Sequence, residues 1–153
     1  MKKVLSLFAV LLLVGLSFGE NLIPDFSLKS EDGKIVKRDD LKGKPSVLIF
    51  WGINCHSCRR ELPHINELYK KYKGKVNFYA VVVDSRDIDD IKETKKLWKF
   101  DIPVLISDRK IIYKYRVIGV PMILIVDKDL KPYKKMFGTQ KNEVVERYIK
   151  NLL

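Results

Sequence analysis

The sequence predicts a single α/β domain, a sheet of buried strands layered between helices. Three observations carry that prediction. The runs Ser46-Val47-Leu48-Ile49-Phe50-Trp51 and Met122-Ile123-Leu124-Ile125-Val126 are short and almost wholly apolar, as in interior strands of a mostly parallel sheet covered on both faces. After the first run, Leu62, Ile65, Leu68, Tyr69 and Tyr72 recur at three- and four-residue steps, the stripe of a helix packed on a core. The segments then follow one another as strand, helix, strand, helix, strand, strand, helix, the order of a layered α/β structure.

Residues 1–19 stand apart from that domain. Lys2-Lys3 makes a short positive start, and residues 4–16 are nearly all apolar. Ser17-Phe18-Gly19 offers small residues at the two positions a signal peptidase inspects, before Glu20 opens a polar stretch. The apolar run is shorter than the ~20 residues of a spanning helix. A cleaved secretory signal is therefore expected over residues 1–19, with an uncleaved anchor as the alternative, and the folded domain is residues 20–153.

Within the domain, Phe26-Ser27-Leu28 and Ile35-Val36 flank Glu31-Asp32-Gly33, a turn-forming trio, and predict a hairpin. Asp39-Asp40-Leu41-Lys42-Gly43 has the pattern of one helical turn ended by glycine. The strand over 46–51 follows, then a helix that closes near Lys73-Gly74 and contains Pro63, which removes an N–H and bends the axis. Residues 76–83 predict a second buried strand. Ile88, Ile91 and Leu97 on a charged background predict a helix over 87–98. A short strand over 102–106 and a short helix over 108–115 lead through Val117-Ile118-Gly119-Val120-Pro121 into the strand over 122–126. Asp127-Lys128-Asp129 then turns the chain into a strand over 133–137, whose neighbour Pro132 suits a sheet edge. Val144, Val145, Tyr148, Ile149 and Leu152 share one face of a closing helix over 141–153.

With 153 residues, 46% hydrophobic and 32% charged, the chain supports one real core and is too apolar for disorder. The formal charge is +11, and without Lys2 and Lys3 the domain keeps 28 basic against 19 acidic residues, or +9. Nucleic acid is the usual partner of such a balance. An exported domain rarely meets it, and the lysines are scattered without interleaved aromatic residues for stacking. No nucleic-acid partner is expected. A basic face toward anionic lipid or an acidic partner is the alternative to plain solvated lysines.

The chain holds only two cysteines, Cys55 and Cys58, placed where the 46–51 strand hands over to its helix. Free N–H groups and the positive end of the helix dipole meet there, and both favour an anion. A thiolate at that place forms more readily than the ~8.5 of an ordinary thiol allows. As a structural staple the pair achieves little, since closing so small a loop contributes about 2 kcal/mol in the chain-entropy model. Closely spaced pairs are also strained and easily reduced. Redox chemistry is the stronger reading, and export to a compartment where disulfides persist agrees with it. His56, if protonated beside Cys55, or the Ser57 hydroxyl would favour the thiolate; a His56 facing solvent would not. Glu61 lies three residues after Cys58 on the same helical face. Read from the residues alone, it is a solvated acid near the helix start. His64 is expected on the helix surface.

These residues resemble the thioredoxin fold, and more narrowly the exported TlpA/ResA/CcmG branch of thiol–disulfide oxidoreductases, over nearly all of residues 20–153. The likeness lies in Pro24-Asp25-Phe26, Asp32-Gly33-Lys34, Leu41-Lys42-Gly43-Lys44, Phe50-Trp51-Gly52 before the cysteines, Glu61-Leu62-Pro63, Tyr115 and Gly119-Val120-Pro121. It implies a central mixed sheet flanked by helices, an N-terminal β-hairpin, and a helix–strand insertion between Asp84 and Ile106. It also implies that Cys55 is the exposed nucleophile and that Cys58 resolves the mixed disulfide. Pro121 would be cis, with the Val120 backbone free to pair with an extended substrate segment. Trp51, Asn54 and His56 join Val120 and Pro121 as the implied substrate contacts. Thioredoxin's buried aspartate corresponds to Ile49 here, so the resemblance makes Glu61 the proton acceptor for Cys58. Three departures stand out. Asn54 replaces an aromatic residue common in relatives, Ser57 replaces a proline, and His56 follows the nucleophile directly.

The implied activity is reversible dithiol–disulfide exchange without cofactor or metal, in a monomer outside the cytoplasm. The implied substrate is apocytochrome c, reduced before haem attachment, with electrons from a membrane thiol donor of the CcdA/DsbD kind. A potential near −270 mV and a strong oxidant's near −120 mV differ by about 7 kcal/mol for two electrons. A general exported oxidant or isomerase is therefore the alternative. Two further classes fit worse. A peroxide-reducing enzyme needs threonine or serine three residues before its cysteine, where Gly52 stands. A copper-binding assembly factor would use the thiolates, but usually with wider cysteine spacing and a distal histidine, and no histidine lies beyond His64.

Overall fold

The computed structural model describes residues 21–153. The expected signal, residues 1–19, lies outside them. Among the described residues no helix is long and apolar enough to cross a membrane.

The strands are β1 (Ser27–Ser30), β2 (Ile35–Lys37), β3 (Ser46–Trp51), β4 (Asn77–Val82), β5 (Val104–Ile106), β6 (Met122–Val126) and β7 (Pro132–Phe137). The helices are α1 (His56–Tyr72), α2 (Ile88–Trp98), α3 (Arg109–Lys114) and α4 (Asn142–Leu152), with a 3-10 turn at Arg38–Leu41. The strands form one sheet in the order β2-β1-β5-β4-β3-β6-β7. Pro132 opens the edge strand β7, where no further strand needs its missing N–H. Pro63 lies inside α1, which runs on through it to Tyr72.

The sheet is mixed rather than mostly parallel. β3–β4 and β4–β5 are parallel, whereas β6 runs antiparallel to β3 and β7, and β1 antiparallel to β2 and β5. An apolar run signals burial on both faces, and β6 has that without being parallel. α3 has six residues and spans only about 9 Å, too short to carry the chain back along the sheet. β6 therefore starts at the end where β5 stops.

Alternate residues of the central strands feed two cores. Val47, Ile49 and Trp51 pack with Ala80, Val82 and the buried faces of α1, α2 and α4. Leu48 and Phe50 pack with Val81, Leu124 and the other face's Phe26, Leu41, Ile111 and Tyr115. The registers Trp51↔Val82, Val82↔Ile106 and Phe50↔Met122 bring four loops to one end of the sheet. These follow β3, β4 and β5 and precede β6.

Candidate active site

β3 delivers the chain into this end of the sheet, and Cys55 becomes the N-cap of α1. Its backbone is extended (φ −102°, ψ 109°), and its Sγ accepts the Cys58 N–H at 3.2 Å. A sulfur thus occupies the role usually filled by a serine or aspartate oxygen. The two sulfurs are bonded to each other. Cys55 is half-buried, whereas Cys58 is 0% exposed, so a partner reaches Cys55 first. Ser57 Oγ lies 3.6 Å from Cys55 Sγ. His56, the first residue of α1, is exposed, as are Asn54 and His64.

Val120 and Pro121 arrive from the other side of β3. Their peptide bond is cis, and the Val120 carbonyl oxygen is 3.7 Å from Cys55 Sγ. Pro121 is buried, and its carbonyl accepts the Gly138 N–H at 2.9 Å, which ties the loop to the end of β7.

Trp51 departs from its expected place among the substrate contacts. Its side chain is 0% exposed and packs edge-on against Trp98 and Phe100. Along β3 it shares a face with Val47 and Ile49, which turns it into the helix-covered core. Trp51 supports the site from beneath.

Asp84, just beyond β4, carries a role that the sequence did not reveal. Its carboxylate accepts the N–H groups of Ile53 (2.8 Å) and Asn54 (3.1 Å), and the Asn54 side-chain amide at 3.4 Å. It grips the two residues immediately before the nucleophile. Gly52 makes room for it, because a Cβ there would stand 2.6 Å from Asp84 Oδ2. A threonine or serine here, as in a peroxide-reducing site, would meet the same overlap and push the Asp84 carboxylate off the loop. The only sequence signal for Asp84 was an acid following a buried strand.

Glu61 is fully buried on the face of α1 that also buries Cys58 and Leu62. Both carboxylate oxygens face the Gln140 N–H, at 3.1 and 3.2 Å. Gln140 in turn donates its side-chain amide to the carbonyls of Phe137 and Gly138, so the loop after β7 is built around the acid. Burial pushes the Glu61 carboxyl above its ordinary 4.5, against the pull of the Gln140 N–H and His64. Ile49 is 0% exposed in the same core as Cys58. Glu61 is the buried acid one helical turn beyond Cys58 on α1. Among the described residues, no three His, Cys, Asp or Glu side chains converge to hold a metal.

A half-buried cysteine capping a helix, a buried cysteine one turn on and a cis-proline loop against the first sulfur define a thiol–disulfide exchange protein of thioredoxin fold. The AhpC/TSA family model matches residues 20–145. The thiol-disulfide oxidoreductase ResA of Bacillus thuringiensis subsp. konkukian is 38% identical over 131 residues, which cover 84% of this chain and 75% of that protein. ResA of Bacillus subtilis is 30% identical over 128 residues, covering 82% and 71%. The chain belongs to the AhpC/TSA family and, within it, with the ResA thiol-disulfide oxidoreductases, Cys55 and Cys58 being its redox pair. Among solved structures, the thiol:disulfide interchange protein DsbE of Chlorobium tepidum superposes with a TM-score of 0.78 at 26% identity, covering 86% of this chain and 95% of that one. The exposed lipoprotein thioredoxin of Streptococcus pneumoniae gives 0.74 at 28% identity, covering 84% and 100%.

Proposed function

We propose that the protein reduces disulfides of exported proteins outside the cytoplasm, with apocytochrome c as its substrate before haem attachment. The observation that carries this reading is the asymmetry of the pair. Cys55 is reachable and caps the helix, while Cys58 is sealed behind it. In the reduced protein the Cys55 thiolate attacks one sulfur of the substrate disulfide. That S–S bond breaks, and the departing substrate sulfur takes a proton. Cys58 gives its proton to the Glu61 carboxylate and attacks Cys55 Sγ. The mixed disulfide breaks, the second substrate sulfur leaves as a thiolate, and the protein keeps the Cys55–Cys58 disulfide. Two electrons have passed to the substrate, and a membrane dithiol donor of the CcdA/DsbD kind returns them.

The half-buried Val120, with its carbonyl beside Cys55, suits backbone pairing with an extended substrate segment. Asn54 and His56, both exposed, flank the same sulfur. The protein acts as a monomer, exported by the segment at residues 1–19. The likeness to ResA and DsbE supports exchange chemistry, and that to the exposed lipoprotein thioredoxin of Streptococcus pneumoniae supports an external location.

The test is capture with a Cys58→Ser variant, which holds partners as mixed disulfides through Cys55. Apocytochromes with paired haem-attachment cysteines are expected in the catch. A broad set of unrelated exported proteins would instead favour a general oxidant or isomerase.

A further inference from the structure

We propose that the sheet end beside the redox pair carries a docking strip for an acidic, partly apolar segment of the disulfide-bearing protein partner. The proposal rests on the exchange reading and deepens it, because it names what the partner presents next to its cysteine.

Two hollows make the strip. One, of about 520 Å³, lies between the loop after β4 and the start of α3, with Asp84, Arg86, Asp108 and Arg109 on its walls. The other, of about 460 Å³, runs along α3 and the turn after it, past Tyr113, Arg116, Val117 and Ile118. They share Arg109 and Ile112 and so form one continuous surface. One end adjoins the loop before Cys55 through Asp84, and the other ends two residues short of Val120 in the chain. Asp84 holds the N–H groups of Ile53 and Asn54, directly before Cys55. Ile118 stands two residues from Val120, whose carbonyl faces Cys55 Sγ at 3.7 Å.

The charges along the strip are unequally committed. Asp84 is taken by the loop N–H groups, and Asp108 caps α3 by accepting the Ile111 N–H at 2.8 Å. Arg86, Arg109 and Arg116 join no ion pair among the described residues. Three guanidinium groups around concave walls favour carboxylates, which they can also hold bidentately. Between them, Tyr113 and Ile118 are 85% and 84% exposed, large apolar surfaces for which the fold has no use. The complementary occupant is an extended segment with acidic residues around one apolar side chain. Its next residues reach the Val120 backbone and Cys55.

The test uses the reduced full-length protein and two synthetic peptides, each closed by one disulfide, flanked by Glu-Leu-Glu or by Lys-Leu-Lys. At low salt the acidic peptide is expected to be reduced about tenfold faster, and the advantage should shrink as salt screens it. The double variant Arg109→Glu/Arg116→Glu should lose the preference, Arg109→Lys/Arg116→Lys should keep most of it, and Ile118→Ser should slow both peptides. All variants should reduce the neutral bis(2-hydroxyethyl) disulfide at the wild-type rate. Equal rates for the two peptides, or a preference that survives charge reversal, would overturn the strip while leaving exchange intact. Should the wild type reduce none of the disulfides, the exchange reading falls, and binding decides the strip alone. A fluorescent acidic peptide with serine for cysteine must then bind about tenfold tighter than its lysine counterpart. Equal binding, arginine-dependent capture of anionic lipid vesicles in its place, or burial of the strip in a dimer seen by sedimentation would each overturn it.

Discussion

At the scale of single residues, the reactive loop is held by a contact between a side chain that is present and one that is absent. Gly52→Ala would place a methyl 2.6 Å from Asp84 Oδ2, so either the carboxylate leaves the Ile53 and Asn54 N–H groups or the loop shifts. The expected cost is about 1–3 kcal/mol, read from the urea midpoint, together with slower reduction of a small disulfide. Asp84→Ala frees two N–H groups that water can reach and should cost only about 1 kcal/mol. It also vacates the space, so the double variant should cost clearly less than the sum. Strict additivity would show that the two residues do not share that space. Glu61 makes a different prediction. Its carboxyl is held above 4.5 by burial, so between 4.5 and its raised value the folded state binds more protons than the unfolded chain. Stability therefore falls as pH rises through that window. Glu61→Gln should flatten this fall and gain on the wild type toward neutral pH, measured as thermal midpoints of the oxidised proteins from pH 4 to 8. Glu146, whose carboxyl Lys71 and Tyr72 hold below 4.5, produces the opposite trend. It is present in both proteins and cancels in the comparison. Parallel curves would mean that Glu61 titrates as an ordinary solvated acid.

At the scale of elements, buried polar groups join segments that the chain keeps far apart. Glu31, at the hairpin turn after β1, is 7% exposed. It accepts the Val104 N–H at the start of β5 and pairs with Lys95 of α2. The hairpin is thereby fastened to both parts of the insertion. Lys95→Met would leave a buried carboxylate with one donor. The loss should be about 2–3 kcal/mol, below the 3–5 of a fully buried pair because Lys95 is partly exposed. Lys95→Met combined with Glu31→Gln should recover part of it in the same urea titration. The α1–α4 contact has a similar pin, the Tyr72 hydroxyl donating to Glu146 Oε1 at 2.6 Å, and burial beside that carboxylate pushes the phenol up to about 12. Tyr72→Phe should cost about 1 kcal/mol. The elements were more legible in the sequence than the pins joining them. β3 and β6 occur at their expected bounds because polar or turn residues close each apolar run sharply. Glu31 and Gln140 instead find partners 73 and 79 residues away, and no local pattern marks such a residue.

At the scale of the whole molecule, the same distinction explains what could be read of the site. The cysteines were legible because strand, helix start and sulfur are neighbours in sequence. Asp84 was not, because it reaches the loop from the next strand over, 31 residues on from Ile53. Trp51 was misplaced because a strand buried on both faces shows no alternation to say which core its last residue enters. The direction of electron flow is likewise a property of the whole fold. Reduction adds two electrons and two protons to a pair that the surrounding structure either favours or disfavours. By linkage, the difference in unfolding free energy between oxidised and reduced protein equals the shift of the pair's potential between folded and unfolded chain. For this couple 30 mV corresponds to about 1.4 kcal/mol. A reductase must hold its disulfide form the more firmly, whereas a strong oxidant is strong because its reduced form is the more stable. If the protein works as the reductase proposed above, its oxidised form melts above the reduced one, by about 2–4 °C for each kcal/mol, and glutathione or dithiothreitol equilibration should return a potential matching that difference. A reduced protein that melts higher than the oxidised one would make this domain a donor of disulfides, with its electrons running from substrate to membrane.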